Sequence, residues 1–176
     1  MAKDVFLSYA AADKATALAV LAGLEDSGIG CWIAPRDIPA GSEYGEQIVD
    51  AIKACRIVVV IFSAGANASP HVRREVERAV SAQRPIVPFR VENIAPTGAM
   101  EIALSNTHWL DAMSAPLEPH IATLVTMLGE TEPAFDLLER LLPLANEEIK
   151  SWVKVDVDLE ALRPLPRYQK LLELIQ

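Results

Sequence analysis

The fold of this chain is decided by one stretch, Arg56-Ile57-Val58-Val59-Val60-Ile61-Phe62-Ser63. Its apolar residues do not alternate with polar ones, most of them are β-branched, and the run stops at a small polar residue. Such a run predicts a strand that is buried on both faces of a parallel sheet, since helices cover both sides of such a sheet. Ligands of open α/β sheets bind beyond the carboxyl ends of the strands, so we expect Ser63 to lie near any functional site.

Strands and helices alternate on either side of this stretch. Further strands are predicted at 4–8, 30–33, 85–89 and 107–110, and helices at about 13–24, 44–54, 70–82 and 117–128. Strands that alternate with helices of this length indicate βαβ units with right-handed crossovers. The sequence therefore predicts a flavodoxin-like, doubly wound, five-stranded parallel sheet. Prolines at positions 85 and 88 place the fourth strand toward an edge of that sheet.

The chain changes character after Gly129. Acidic residues dominate the remainder, and its apolar residues are spaced for two or three short helices. We therefore predict two domains, an α/β domain over 1–129 and a helical appendage over 130–176. Because the appendage is too short to bury a core of its own, we expect its apolar residues to pack on one another and around Leu124 and Leu128.

Composition excludes several classes of partner. The 176 residues carry a net charge of −8, which argues against nucleic acid or an anionic membrane as the main partner. No apolar run is long enough to span a bilayer, and the first residues do not resemble a signal peptide. Two cysteines, Cys31 and Cys55, stand in apolar surroundings, so neither a disulfide scaffold nor a metal site is predicted. We expect a cytoplasmic protein.

Several short segments follow one another in an order that is typical of a known family. They are Asp4-Val5-Phe6-Leu7-Ser8-Tyr9, Trp32-Ile33-Ala34-Pro35-Arg36-Asp37-Ile38-Pro39-Ala40-Gly41, Ile48-Val49-Asp50-Ala51-Ile52, Val58 to Ser63, Ser69-Pro70-His71-Val72-Arg73-Arg74-Glu75-Val76 and Pro85-Ile86-Val87-Pro88. Over about residues 3–128 the chain resembles a Toll/interleukin-1 receptor (TIR) domain of the bacterial type. The segments from Trp152 to Arg163 and from Pro166 to Leu172 resemble the closing element of some tetratricopeptide arrays.

The TIR resemblance implies one of two functions. Many such domains cleave the nicotinamide–ribose bond of NAD, which is then a substrate and not a cofactor. Others are adaptors that bind further TIR domains without catalysis. We expect an NAD glycohydrolase or cyclase that becomes active when copies assemble into a homo-oligomer, in bacterial defence signalling. A nucleoside deoxyribosyltransferase, which shares the fold and the N-glycosidic chemistry, is a distant alternative.

The resemblance also implies a catalytic Glu early in the helix that follows the loop after the second strand. Glu46 is the first candidate in that region and Glu43 the second. A carboxylate there would bind the ribose hydroxyls and stabilise an oxocarbenium-like transition state. The alternative is that both are solvated acids of the first helical turn, where the helix dipole favours negative charge.

Five further residues are candidates for binding NAD. Arg36 lies in the loop after the second strand and could hold a phosphate, or form a salt bridge with Asp37. Ser8, Tyr9 and Ser63 end two strands and could line the ribose or the nicotinamide. His71 stands where family enzymes often have a Trp that stacks on adenine; the alternative is an exposed side chain in the first helical turn.

The rest of the helix after His71 carries charges of both signs. The group is Arg73, Arg74, Glu75, Glu77 and Arg78, which we expect to form a solvated face. Related folds with other chemistry are excluded by their missing residues. A phosphoacceptor receiver needs an Asp where Ser63 stands, and a Rossmann dehydrogenase needs a glycine-rich turn where Ser8 to Asp13 stand.

Overall fold

Residues 3–175 are described by the structure, which is a computed structural model. Five parallel strands form one sheet in the order β2-β1-β3-β4-β5. They are β1 (Val5–Ser8), β2 (Cys31–Ile33), β3 (Ile57–Phe62), β4 (Ile86–Arg90) and β5 (Leu110–Asp111). This confirms the flavodoxin-like α/β fold that the alternation of strands and helices predicts.

The central strand is the one that the sequence singles out. β3 pairs with β1 on one side and with β4 on the other, and its residues from Val58 to Phe62 are fully buried. As expected, β4 lies toward an edge: it is next to the edge strand β5, which pairs only with Phe89 and Arg90. Pro88 is compatible with this position because β5 pairs with Phe89 and Arg90, so no backbone hydrogen bond from Pro88 to β5 is required.

Five helices accompany the sheet in the first part of the chain. They are α1 (Lys14–Asp26), α2 (Tyr44–Ala54), α3 (Ala64–Ala68), α4 (Pro70–Ser81) and α5 (Ala99–Leu104). The short helices α3 and α5 were not expected from the sequence. Successive residues of β3 point to opposite faces of the sheet, so alternate residues share a face. Val58, Val60 and Phe62 share one face and pack in a cluster with buried side chains of α2, α4 and α5. That cluster holds α2 and α4 side by side.

The chain divides into two compact units, the first ending at Ala115 and the second beginning at Pro116. The second unit contains α6 (Glu118–Met127), α7 (Thr131–Leu141), α8 (Glu147–Val155) and α9 (Pro166–Glu173). This division differs from the predicted one after Gly129, because α6 packs on α7 and belongs to the second unit. Within residues 3–175, no helix has the length and apolarity needed to cross a membrane.

The apolar residues of the tail pack much as predicted. α7 packs on α6, which contains the fully buried Leu124, and α9 packs on α7. The buried side chains of this tail core include Phe135, Leu138, Leu142, Leu159, Leu162 and Leu171. Leu174, expected in the core, is instead 41% exposed. The tail is therefore a folded set of helices that shares its core with α6.

Candidate active site

Two pockets lie side by side in the first unit. The first, here called the strand-end pocket, has a volume of about 340 Å³ and lies beyond the carboxyl ends of β1 and β2. This is where ligands bind in parallel α/β sheets. Its walls are Leu7, Tyr9, Ala10, Ala11, Ala34, Pro35, Tyr44, Ser69, His71 and Glu75.

The second pocket, here called the helix pocket, has a volume of about 240 Å³ and lies between α2 and α4. Its walls are Tyr44, Gly45, Ile48, Val49, His71, Arg74, Glu75 and Arg78. Tyr44, His71 and Glu75 belong to both pockets. These three side chains therefore mark the place where one ligand can extend from one pocket into the other.

Glu75 is the carboxylate at this junction. Burial raises its pKa to about 7, and a hydrogen bond from Ser8 acts against that rise. The Ser8 hydroxyl donates to Glu75 Oε2 at 2.5 Å, and Ser8 itself is buried. A carboxyl group that titrates near neutral pH in a pocket is the kind of group that acid–base and electrostatic catalysis uses.

Tyr9 connects the junction to the loop after β2. Its hydroxyl donates to the carbonyl oxygen of Ala34 at 2.9 Å, and Ala34 and Pro35 form part of the strand-end pocket. Burial raises the pKa of Tyr9, and the neighbouring Tyr44 and Glu75 add to the rise. Tyr9 is therefore a neutral hydrogen-bonding wall of the pocket, and its position ties the loop to the strand end.

The two acids expected to be catalytic lie elsewhere. Glu43 precedes α2 as its N-cap residue, Glu46 lies in the first turn of α2, and both are exposed. The pocket walls formed by residues 3–175 include neither of them. Both have the surroundings of first-turn acids on a helix surface, which was the alternative interpretation. It is Tyr44, between them, that reaches the pockets.

Arg36 also lies outside the walls of the two pockets as residues 3–175 form them. Its guanidinium pairs with Asp37 at 2.8 Å and with Glu25 at 2.9 Å, and donates to the carbonyl oxygen of Cys31 at 2.9 Å. Asp37 in turn accepts from the backbone N–H of Ile33. These bonds correspond to the salt-bridge alternative, and they hold the start of the loop against the end of β2.

Ser63 and His71 have different surroundings. Ser63 is fully buried, donates to Asp13 Oδ2 at 2.6 Å and accepts from the backbone N–H of Ala66, so it caps α3 and does not line either pocket. His71 is exposed at the start of α4 and lines both pockets. Of the five predicted binding residues, Tyr9 and His71 reach the pockets directly, and Ser8 does so through Glu75.

Glu75 is the site residue that the sequence reading missed, since it was grouped with a solvated, mixed-charge face. The spacing of its neighbours contains a signal. Val72, Val76 and Ala79 are all fully buried, and Glu75 lies on the same stripe of α4, three residues after the first and four before the last. An acid on the buried stripe of an amphipathic helix is a candidate functional residue. Arg73 and Glu77, in contrast, are exposed to solvent.

The family is now established by comparison. The family model described as TIR domain matches residues 5–125. The chain belongs to the TIR domain family. No match is found among curated proteins. The bacterial origin and the tetratricopeptide resemblance of the tail stay predictions, since the matched region ends at residue 125 and does not reach that tail.

Two solved structures are similar to this chain. The TIR domain of the Toll-related receptor TRR-2 from the lower metazoan Hydra magnipapillata is 21% identical, with a TM-score of 0.62; the match covers 72% of this chain and 98% of that one. A metazoan TIR-STING receptor from C. gigas is also 21% identical, with a TM-score of 0.49, and the match covers 88% of this chain and 52% of that one. At this identity the Hydra domain supports the fold.

Proposed function

We propose that the TIR domain cleaves the nicotinamide–ribose bond of NAD, with Glu75 as the catalytic carboxylate. The observation that supports this is the position of Glu75 at the junction of the two pockets, where burial brings its pKa to about 7. Near neutral pH such a group is partly ionised in an apolar setting, so its negative charge acts strongly on a nearby positive centre.

The chemistry requires little beyond that charge. The bond between ribose C1′ and the pyridinium nitrogen breaks, and its electron pair leaves with nicotinamide, which becomes a neutral molecule. Positive charge develops on the ribose, where a carboxylate in contact with the sugar stabilises it. Water then adds to C1′ and loses a proton, for which Glu75 is the acceptor, and ADP-ribose results. Attack by another part of the same molecule in place of water would give a cyclic product.

Self-association would complete the site. Ala34 and Pro35 bring the loop after β2 into the strand-end pocket, and the following residues Pro39 to Gly41 are exposed. A second copy that packs on this loop would cover the pocket and exclude water from the ribose. We therefore propose that the active form is a homo-oligomer and, following the family resemblance, that it serves in bacterial defence signalling.

The second candidate, a TIR adaptor without catalysis, requires a surface for self-association, and one observation supports such a surface. Val80 on α4 and Ile102 on α5 are 49% and 80% exposed, and these two helices pack against each other. Exposed apolar side chains on adjacent helices are a feature of protein contact surfaces. This surface suits TIR–TIR association whether or not the domain also cleaves NAD.

The test is the release of nicotinamide from NAD by the purified chain, measured over a hundredfold range of protein concentration and in crowded solution. The glycohydrolase proposal expects release, with a specific activity that rises with concentration. A constant specific activity would contradict control by assembly. If the protein self-associates but releases no nicotinamide at any concentration, the adaptor function replaces the enzymatic one.

A further inference from the structure

Two arginines of the chain differ from all the others. Arg74 and Arg78 have no hydrogen-bond or ion-pair partner for their guanidinium groups among residues 3–175. Every other arginine forms an ion pair with a carboxylate or donates a hydrogen bond to a backbone carbonyl oxygen: Arg36, Arg56, Arg73, Arg84, Arg90, Arg140, Arg163 and Arg167. The chain has a net charge of −8, yet these two exposed guanidinium groups on one helix face are paired with none of its acids among residues 3–175.

Both unpaired arginines line the same pocket. Arg74 and Arg78 are four residues apart on α4 and therefore project from the same side of the helix. They form part of the helix pocket, whose opposite wall is apolar and is contributed by Ile48 and Val49 of α2. Both arginines are exposed, so their charges are open to an anion that enters this pocket.

The strand-end pocket has the opposite character. The charged side chain in its wall is Glu75, and the other polar groups are neutral hydroxyls together with His71. The two pockets thus differ in charge, and they meet at Glu75. A dinucleotide that places its reactive ribose at this carboxylate has nicotinamide on one side of the sugar and a diphosphate on the other.

We propose that Arg74 and Arg78 bind the diphosphate of the substrate in the helix pocket, so that the nicotinamide end enters the strand-end pocket. This inference rests on the proposed function for the identity of the substrate. Guanidinium groups recognise phosphate oxygens through paired N–H donors, and two of them suit a diphosphate. The arrangement fixes which way the dinucleotide crosses Glu75, and it gives α4 a binding role beside its catalytic one.

The chain provides a matched control on the same helix. Arg73 is the immediate neighbour of Arg74, pairs with Glu77 and is not among the residues that form either pocket. Arg56 is a second exposed arginine, paired with Asp4 and also outside both walls. The double variant Arg56→Gln/Arg73→Gln therefore removes the same charge as Arg74→Gln/Arg78→Gln without touching the pocket, so the general field of the protein changes equally in both.

The experiment measures binding and not turnover, by calorimetry with ADP-ribose and with nicotinamide riboside, which lacks the diphosphate. We expect Arg74→Gln/Arg78→Gln to bind ADP-ribose at least about tenfold more weakly than the control double variant. We expect nicotinamide riboside to bind both double variants equally. The affinity of the control for ADP-ribose should fall as salt rises, and that of the pocket variant should fall less.

Each result decides the proposal. If both double variants bind ADP-ribose equally, or if the wild-type chain does not bind it, the diphosphate subsite is overturned. If the affinity of the pocket variant for nicotinamide riboside falls as much as its affinity for ADP-ribose, the arginines do not recognise the diphosphate, and the inference is wrong. A wild-type chain that binds ADP-ribose through the arginine pair but releases no nicotinamide would instead overturn the proposed catalysis and leave the subsite standing.

Discussion

α4 and α9 place their arginines in opposite surroundings. On α9, Arg167 pairs with Glu132, Asp136 and Glu139 of α7, and its guanidinium also lies over the ring of Phe135 at 5.3 Å. On α4, Arg74 and Arg78 have no such partners among residues 3–175, and an acid on the same helix is partly buried beside a pocket.

The difference separates two uses of charge. Arg167 satisfies its donors within its own unit and so holds α9 against α7, which is a contribution to folding. Arg74 and Arg78 of α4 form no such pairs among residues 3–175, which is expected where a ligand is to supply them. Substitutions of Glu75, Arg74 and Arg78 on α4 should therefore reduce function without loss of stability, and substitutions of Arg167 should do the reverse. The predictions below test that separation.

The largest effect is expected from Glu75→Gln. Removal of the charge at the junction should reduce nicotinamide release from NAD by at least about a thousandfold, while the variant keeps its fold. The rate is measured by chromatography of nicotinamide at saturating NAD. Glu46→Gln, at an exposed position on α2, should retain most of the wild-type rate. Full loss in Glu46→Gln with activity in Glu75→Gln would return the catalytic role to α2.

The same substitution should remove a pH dependence of stability that the wild-type chain has. Burial raises the pKa of Glu75 from 4.5 to about 7, so the folded chain binds more protons than the unfolded chain between these values. Stability from this group is therefore present at low pH and is lost as pH rises through this window. Relative to wild type, Glu75→Gln should gain up to about 3 kcal/mol in free energy of unfolding between pH 4.5 and pH 7.

Urea denaturation at a series of pH values measures this gain. The same series on Glu46→Gln gives the effect of removing an exposed acid. A difference between Glu75→Gln and wild type that does not change with pH would show that Glu75 is solvated in the free protein, as the sequence reading had it.

A smaller effect is expected from Arg167→Met, which keeps the aliphatic stem and removes the three ion pairs. The free energy of unfolding should fall by about 2 kcal/mol, because three carboxylates of α7 pair with this one guanidinium, whose side chain is 26% exposed. Arg74→Gln/Arg78→Gln should change the free energy of unfolding by less than about 0.5 kcal/mol, because these two side chains have no ion-pair partner among residues 3–175 of the folded chain. Equal losses in both variants would remove the distinction between α4 and α9.

The smallest expected effect concerns Ser8→Ala. The Ser8 hydroxyl bonds the ionised form of Glu75 and so opposes the rise of its pKa. Its loss should shift the acidic limb of the pH–rate profile for nicotinamide release upward by roughly half a pH unit to one unit. At high pH, where Glu75 is ionised in both proteins, the rates should converge. A uniform loss of rate at all pH values would mean that Ser8 contacts the substrate itself.

Much of the first unit could be predicted because hydrophobic periodicity is a local property. The apolar run before Ser63 gave the central strand, and the repeat of strand and helix gave the order of the sheet. The length of β5 was less predictable, because its two paired residues, Leu110 and Asp111, depend on where β4 ends. The boundary at residue 115 was missed since α6 alone does not reveal that its partner is α7.

The sequence predicts where the candidate site lies, but it does not predict which acid the site contains. Strand ends and the loop after β2 were expected to form it, and Tyr9 and Ala34 do so. The sequence predicts Glu46 because the family resemblance implies a carboxylate on α2, whereas the surroundings of an acid depend on which residues lie across from it in space. Burial raises the pKa of Glu75, and its hydrogen-bond partner Ser8 is 67 positions away in the chain.

The sequence by itself determined the α/β fold, the family and the sheet edge at which a ligand would bind, because these follow from patterns within a few residues. Only the tertiary structure decided which charges are paired and which face a pocket. Arg73 and Arg74 are neighbours in sequence with the same chemistry, yet one pairs with Glu77 and the other lines the helix pocket. Desolvation and pairing depend on the packing of α2, α4 and β1 together, and no local pattern contains that information.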